Sequence, residues 1–150
     1  MLEMAMVLAI VAILAVLAVP SFQERIIRNQ IVAAVPLLDI VKAPIAASWA
    51  ASQSFPPDNA AAGLPPAEKI VSNYVSSVTV HDGAIDVVFG NSANGPIKGK
   101  TLTVRPAVVI DAPVVPVTWV CGNAGPPAQM TIKGENRTNI PTKFLPLNCF

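Results

Sequence analysis

The sequence predicts an α+β fold: a long N-terminal α-helix, hydrophobic and protruding in its first half, packed against a four-stranded antiparallel sheet, with a disulfide-closed C-terminal loop. Three observations predict it. Residues 1–20 form an almost unbroken apolar run, two alternating runs meet at Asp82-Gly83, and the only two cysteines, Cys121 and Cys149, both fall near the C-terminus. With 150 residues there is room for one domain plus a long terminal element. The expected division is a hydrophobic membrane or filament-core helix over 1–20, an amphipathic continuation over 21–51, and a globular head over 52–150 made of loop, sheet and disulfide-bounded tail.

Composition narrows the function classes. The chain is 53% hydrophobic and only 13% charged, with 15 prolines, which fits membrane contact or polymer packing better than free solution. A net charge of +1 provides no overall field towards nucleic acid or acidic surfaces, and leaves only a local patch open.

Residues 2–19 are rich in Ala, Leu and Met, which favour helix, and long enough to cross most of a bilayer's hydrocarbon. A cleavable secretory signal is the rival reading, but no Lys or Arg precedes the run. Arg25 and Arg28, just after the span, place the following domain in the cytoplasm by the positive-inside rule, where a Cys121–Cys149 disulfide would not persist. Both facts fit if a basic leader preceded Met1 and was removed, leaving the C-terminal side in an oxidising space.

Glu3 lies inside this apolar run. An acid at a bilayer centre costs roughly 2.5 to 3.5 kcal/mol on insertion scales, so such residues are usually paired. Processing would create a positively charged α-amino group able to meet the Glu3 of an adjacent copy. The alternative is an acid snorkelling to a membrane edge.

From residue 21 to about 51, Phe22, Ile26, Ile27, Ile31, Val35, Leu38 and Val41 recur every few residues and mark one helix face, with Gln23, Glu24, Arg25, Arg28 and Asn29 on the other. Pro20, Pro36 and Pro44 each remove a backbone donor and predict kinks or local melting. Residues 52–66, rich in Pro and Gly, read as a surface loop. Val75, Val78 and Val80 lead into a turn at His81, Asp82 and Gly83, with Ile85, Val87 and Phe89 after it: a hairpin. TLTVRP from Thr101 and VTWVC ending at Cys121 supply strands three and four. Beyond Gly122 the composition predicts an irregular tail tied back by Cys149.

No catalytic constellation stands out, and the sequence reads as that of a protein that is not an enzyme and needs no cofactor or metal. The single histidine, His81, reads as a solvated turn residue beside Asp82. The cysteines are too few and too far apart for zinc, and no Gly-rich phosphate loop is present. Trp49 and Trp119 read as packing residues. Asn136-Arg137-Thr138 matches the N-glycosylation triplet. Lys133, Arg137 and Lys143, with Glu135 among them, make a mildly basic tail: either a solvated loop or, where many copies line up, a surface for phosphates, with DNA bound weakly by any single copy.

A Glu near the start of an apolar helix, a Pro closing it at Pro20, an amphipathic continuation, an antiparallel sheet and a C-terminal cysteine pair together resemble a type IV pilin. In that family the mature chain usually begins Phe-Thr-Leu-Ile-Glu and has a Pro seventeen residues after the Glu, the spacing that Glu3 and Pro20 keep. Met1 and Leu2 stand where the family has its third and fourth residues, so the family's methylated N-terminal Phe and the Thr after it are missing from this sequence: either they were left out or this chain starts differently.

The resemblance implies a filament of identical subunits built through the N-terminal helix, with helical order lost near residues 12–20 on assembly and the disulfide-bounded tail exposed. It implies an inner-membrane pool before assembly, a prepilin peptidase and assembly machinery as partners, and a surface pilus serving adhesion, twitching motility or DNA uptake. The alternatives are a pseudopilin of a type II secretion system, which usually lacks the C-terminal bridge, and a monomeric membrane-anchored binding module.

Overall fold

Helix α1, Leu2–Val32, and helix α2, Val35–Ser52, run end to end and are followed by a sheet of strands β1 (Val75–His81), β2 (Ala84–Phe89), β3 (Thr101–Val108), β4 (Thr118–Cys121) and β5 (Thr131–Ile132) in a computed structural model describing residues 1–150. The first four strands lie in the order β1-β2-β3-β4, all antiparallel. The short β5, not expected from the sequence, pairs with β3. Ala107 has Thr118 of β4 on one edge and Ile132 of β5 on the other, so β5 prolongs the side taken by β2.

The helix does not close at Pro20. It stays helical through that residue and again through Pro44, and the single interruption falls at Ala33 and Ala34. A proline costs the helix one hydrogen bond and crowds the carbonyl four residues earlier. Pro36 crowds Val32, just before the interruption, where Ala34 N–H turns to the tighter i−3 carbonyl of Ile31 at 3.1 Å. The chain leaves α2 through Gln53 in the left-handed conformation, φ 52°, as a helix C-terminus commonly does.

Ile27, Ile31, Ala34, Leu38, Val41, Ile45 and Trp49 form the buried helical stripe, recurring every three or four residues. Phe22, Ile26 and Val35, expected on this face, are exposed. The stripe packs on the sheet face carrying Val78, Val80, Ile85, Val87, Phe89, Leu102 and Val104, forming one core. Val75 and Val78 are both buried although three positions apart, because a bulge between Val75 and Ser77 inserts one residue and resets the strand's alternation.

The hairpin turns at Asp82 (φ 49°) and Gly83 (φ 86°), the two positive φ values that an Asp-Gly type I′ turn requires. Gly83 is further constrained, since a Cβ there would stand 2.5 Å from Phe55 Cγ. Phe55 stacks on Trp49 with ring centroids 4.9 Å apart, so the end of α2 is fixed beneath the hairpin tip. The loop after α2 also covers the open edge of β1: Asn59 donates to Val78 O and accepts from Val80 N–H at 3.0 and 2.6 Å.

Candidate functional site

The candidate site is a surface rather than a cleft. Every large apolar residue of α1 up to Phe22 is more than half exposed, while the core closes without any of them. The most apolar window of the helix has mean hydropathy 2.8 and none of it is buried. At 31 residues, α1 is about 46 Å long, and its first two-thirds are long and apolar enough to cross a membrane. A continuous apolar rod of this extent marks a surface that lipid or neighbouring protein covers.

Glu3 is the acidic residue of this rod's first turn, where unsatisfied N–H groups and the helix dipole favour negative charge. It has no ionic partner within the chain among the salt bridges present.

At the base of the head, the rod is anchored by the tail. Arg28 donates from Nε and Nη2 to Lys143 O at 3.1 and 2.7 Å, and the side chains of Phe144 and Leu145 join the core. Gln30 Oε1 accepts from Asn94 N–H at 2.9 Å, tying the β2–β3 connection to the same turn of helix. Cys121 and Cys149 form the expected disulfide, with Cα atoms 4.5 Å apart and a sequence separation of 28. Gly122, φ 56°, lets the chain pass so close that a Cβ would meet Cys149 O at 2.8 Å.

The family model "Pilin (bacterial filament)" matches residues 28–150, the helix base, sheet and disulfide-bounded tail just described. The chain belongs to the pilin family. It is 31% identical to the type IV major pilin protein PilE1 of Neisseria gonorrhoeae, over 99% of this chain and 84% of that protein. It is 31% identical to a fimbrial protein of Neisseria meningitidis serogroup A / serotype 4A over 99% and 91%, and 28% identical to the fimbrial protein EcpC of Eikenella corrodens over 99% and 87%. Those alignments take in the apolar helix as well as the head. A pilin is a structural subunit of a filament.

The tail of this pilin is more engaged than its composition suggests. It pairs with β3 through β5 and Lys133 N–H to Pro106 O, then passes over the sheet's outer face to place Arg137 N–H 2.9 Å from Thr103 Oγ1. It reaches the far side of β3 at Thr138 and Asn139, whose side chains accept from Thr103 and Thr101 N–H at 3.0 and 2.7 Å.

Beneath this crossing lies Asp86, buried, whose Oδ1 accepts from the Thr103 hydroxyl at 2.7 Å, while its Oδ2 stands 2.9 Å from His81 Nε2, which makes no hydrogen bond, and 3.5 Å from Arg137 Nη1. His81 is therefore not a solvated turn residue. It ends β1, and β-strand alternation turns its ring inward to Asp86 on the paired strand, with its side chain 13% exposed. Two residues apart on β2, Ile85 and Val87 face the helix while Asp86 faces the tail, so both faces of this strand are covered.

Of the basic residues, Arg137 is held between Glu135 at 3.1 Å and Asp86, and Lys143 Nζ lies 4.9 Å from the Phe144 ring centroid. Lys133 lies next to β5. Asn136 is exposed, with its side-chain amide donating to Asn123 Oδ1 and its carbonyl oxygen accepting from Thr138 N–H. Trp49 and Trp119 both pack against the core, as expected. Arg105 donates to Gly122 O at 3.1 Å, and burial pushes its pKa down from the ordinary value. No group of three or more His, Cys, Asp or Glu side chains converges in a way that would hold a metal ion.

Proposed function

We propose that this pilin is the repeating subunit of a type IV pilus, held in the inner membrane by α1 and then packed helix to helix into the filament. The observation that carries this reading is the apolar rod that the head leaves wholly uncovered. Transfer of that surface from lipid to neighbouring helices keeps it apolar while adding packing contacts, and burial from any watery part of the path contributes about 25 cal/mol per Å².

Glu3 gives the packing its register. In the filament, its carboxylate meets the N-terminal amine of the adjacent copy, exposed when prepilin peptidase removes a leader, so each incoming subunit is drawn to one axial position. Pro20 already lacks one backbone donor, and the stretch before it unwinds as neighbours pack, letting the rod fit the filament core. Support for this last step is chemical: the helix is weakest where a hydrogen bond is missing.

The assembled fibre, extended and retracted by its machinery, serves adhesion, twitching motility or DNA uptake at the cell surface. Lys133, Arg137 and Lys143 repeated along the fibre give phosphates a weak multivalent surface, and Asn136 is a position for a glycan. The disulfide weighs against a secretion pseudopilin. Electron microscopy of sheared surface material, with mass spectrometry of its N-terminus, tests the reading: fibres composed of this chain support it, and their absence from cells that make the chain contradicts it.

A further inference from the structure

Two features of the head remain after its fold and its apolar helix are accounted for. One is a cavity of about 240 Å³ beside the α1–α2 junction, walled by Val35, Leu38, Leu102, Trp119 and the Cys121–Cys149 bridge. Lys42 stands at this cavity, its Nζ 5.9 Å from the Trp119 ring centroid and 3.5 Å from Asp39 Oδ1. Asp39 is itself 65% exposed, so its pairing with Lys42 is weak and exchangeable.

The other feature is the loop over residues 109–117 that joins β3 to β4. It carries Val114, 89% exposed, together with the exposed Ile110 and Asp111. Asp111 takes part in no salt bridge within the chain. The loop is shaped before any encounter: Ala112 N–H donates to Val109 O and Val115 N–H to Ala112 O, and Pro113 and Pro116 restrict the backbone around Val114. A preshaped loop loses little entropy on docking.

Strand direction sets where these features lie. β3 starts near the helix junction and runs past the hairpin tip, since Ile85 pairs with Val104 and only Ala84 remains of β2 beyond it. The loop therefore crowns the end of the head farthest from α1, and the cavity opens lower on the head, its wall reaching from Ile31 and Val32 of α1 up to Lys42 and Trp119. We propose that the loop of one copy docks in the cavity of the next, Val114 entering the apolar walls and Asp111 meeting Lys42.

Charge and shape agree: an acidic, apolar knob faces an apolar cavity with one ammonium group. Because knob and cavity are different surfaces of the head, the contact is heterologous and can propagate as a polymer instead of closing as a dimer. It also continues the proposed helix interface, since the cavity wall includes Ile31 and Val32 of α1. The inference rests on the filament reading above and adds a head-to-head contact to it.

Cells producing Asp111→Asn and Lys42→Arg chains together supply the test. In filaments from such cells, a zero-length carbodiimide can join Lys42 to Asp111 only between copies. Mass spectrometry of sheared fibres is expected to find that joined peptide, and fibres in which Lys42 is joined only to Asp39 overturn the docking. Val114→Asn provides a second readout, because a side chain so exposed in the single subunit contributes little to its stability. Filament yield should fall about tenfold, the effect of losing one interface anchor, with thermal unfolding of the detergent-extracted chain unchanged. Unchanged yield overturns the docking alone, whereas a chain that forms no filaments before any substitution overturns the filament reading and the docking with it.

Discussion

Arg28 and Lys143 are 115 positions apart in the chain, yet the Arg28 guanidinium donates two hydrogen bonds, at 3.1 and 2.7 Å, to the main-chain carbonyl of Lys143. The contact joins the helix, at the point where it leaves the head, to the tail closed by the disulfide. Since the acceptor is backbone, the bond depends on the planar fork of arginine and not on which side chain stands at position 143.

Arg28→Ala is therefore expected to free the tail locally more than it destabilises the whole. A loss of about 1 kcal/mol follows from removing partly solvated hydrogen bonds of this kind. Amide hydrogen exchange should rise over residues 142–149, and Arg28→Lys should restore less than half of the protection because it cannot present two parallel donors.

Asp86 is the polar centre of the sheet's outer face. Asp86→Ala leaves the buried hydroxyl of Thr103 without its acceptor and the ring of His81 without its neighbouring carboxylate, and should lower unfolding free energy by about 3 kcal/mol. Asp86→Asn keeps an oxygen for Thr103 and should lose clearly less. Chemical denaturation of the two variants side by side checks the order; equal losses would mean that charge, not the hydroxyl contact, dominates.

Asn59 acts as a substitute strand for the free edge of β1, accepting from Val80 N–H and donating to Val78 O and Pro65 O. Asn59→Ala leaves those buried backbone groups unmatched, at a cost of about 2 kcal/mol or more. It also opens a strand edge to other chains. A lowered melting temperature accompanied by aggregation is the expected result, whereas lowered stability without aggregation would show that the loop still covers the edge.

Much of this fold is legible in the sequence because it depends on local chemistry. The turn at Asp82-Gly83 follows from two residues that tolerate positive φ, and the disulfide from two cysteines in a chain with an export-like N-terminus. The helical stripe is visible at Ile27, Ile31, Leu38 and Val41, but its continuation through Ala34, Ile45 and Trp49 depends on what the sheet presents opposite them.

What the sequence hides is long-range and polar. His81 is solvated on local evidence, and only the β1–β2 register and the tail crossing above it enclose it against Asp86. β5, two residues long, has too little alternation to be recognised, and its pairing depends on the tail being tied back. Three prolines look alike as helix breakers, yet only the one at position 36 has an interruption in the turn before it. In the candidate site, the apolar rod and Glu3 are plain to read because they consist of composition and one charge, whereas the cavity at Lys42 exists only once helix, sheet and disulfide are brought together.

Glu3 is an acid in the first turn of an otherwise apolar rod, and its proposed counter-charge lies on a sister molecule. The most direct measurement is the amount of sheared filament from cells producing Glu3→Ala at an unaltered level in the membrane. Loss of a charge pair in an apolar setting predicts a fall of more than about tenfold. Filaments as abundant as those of the unsubstituted chain would contradict the account.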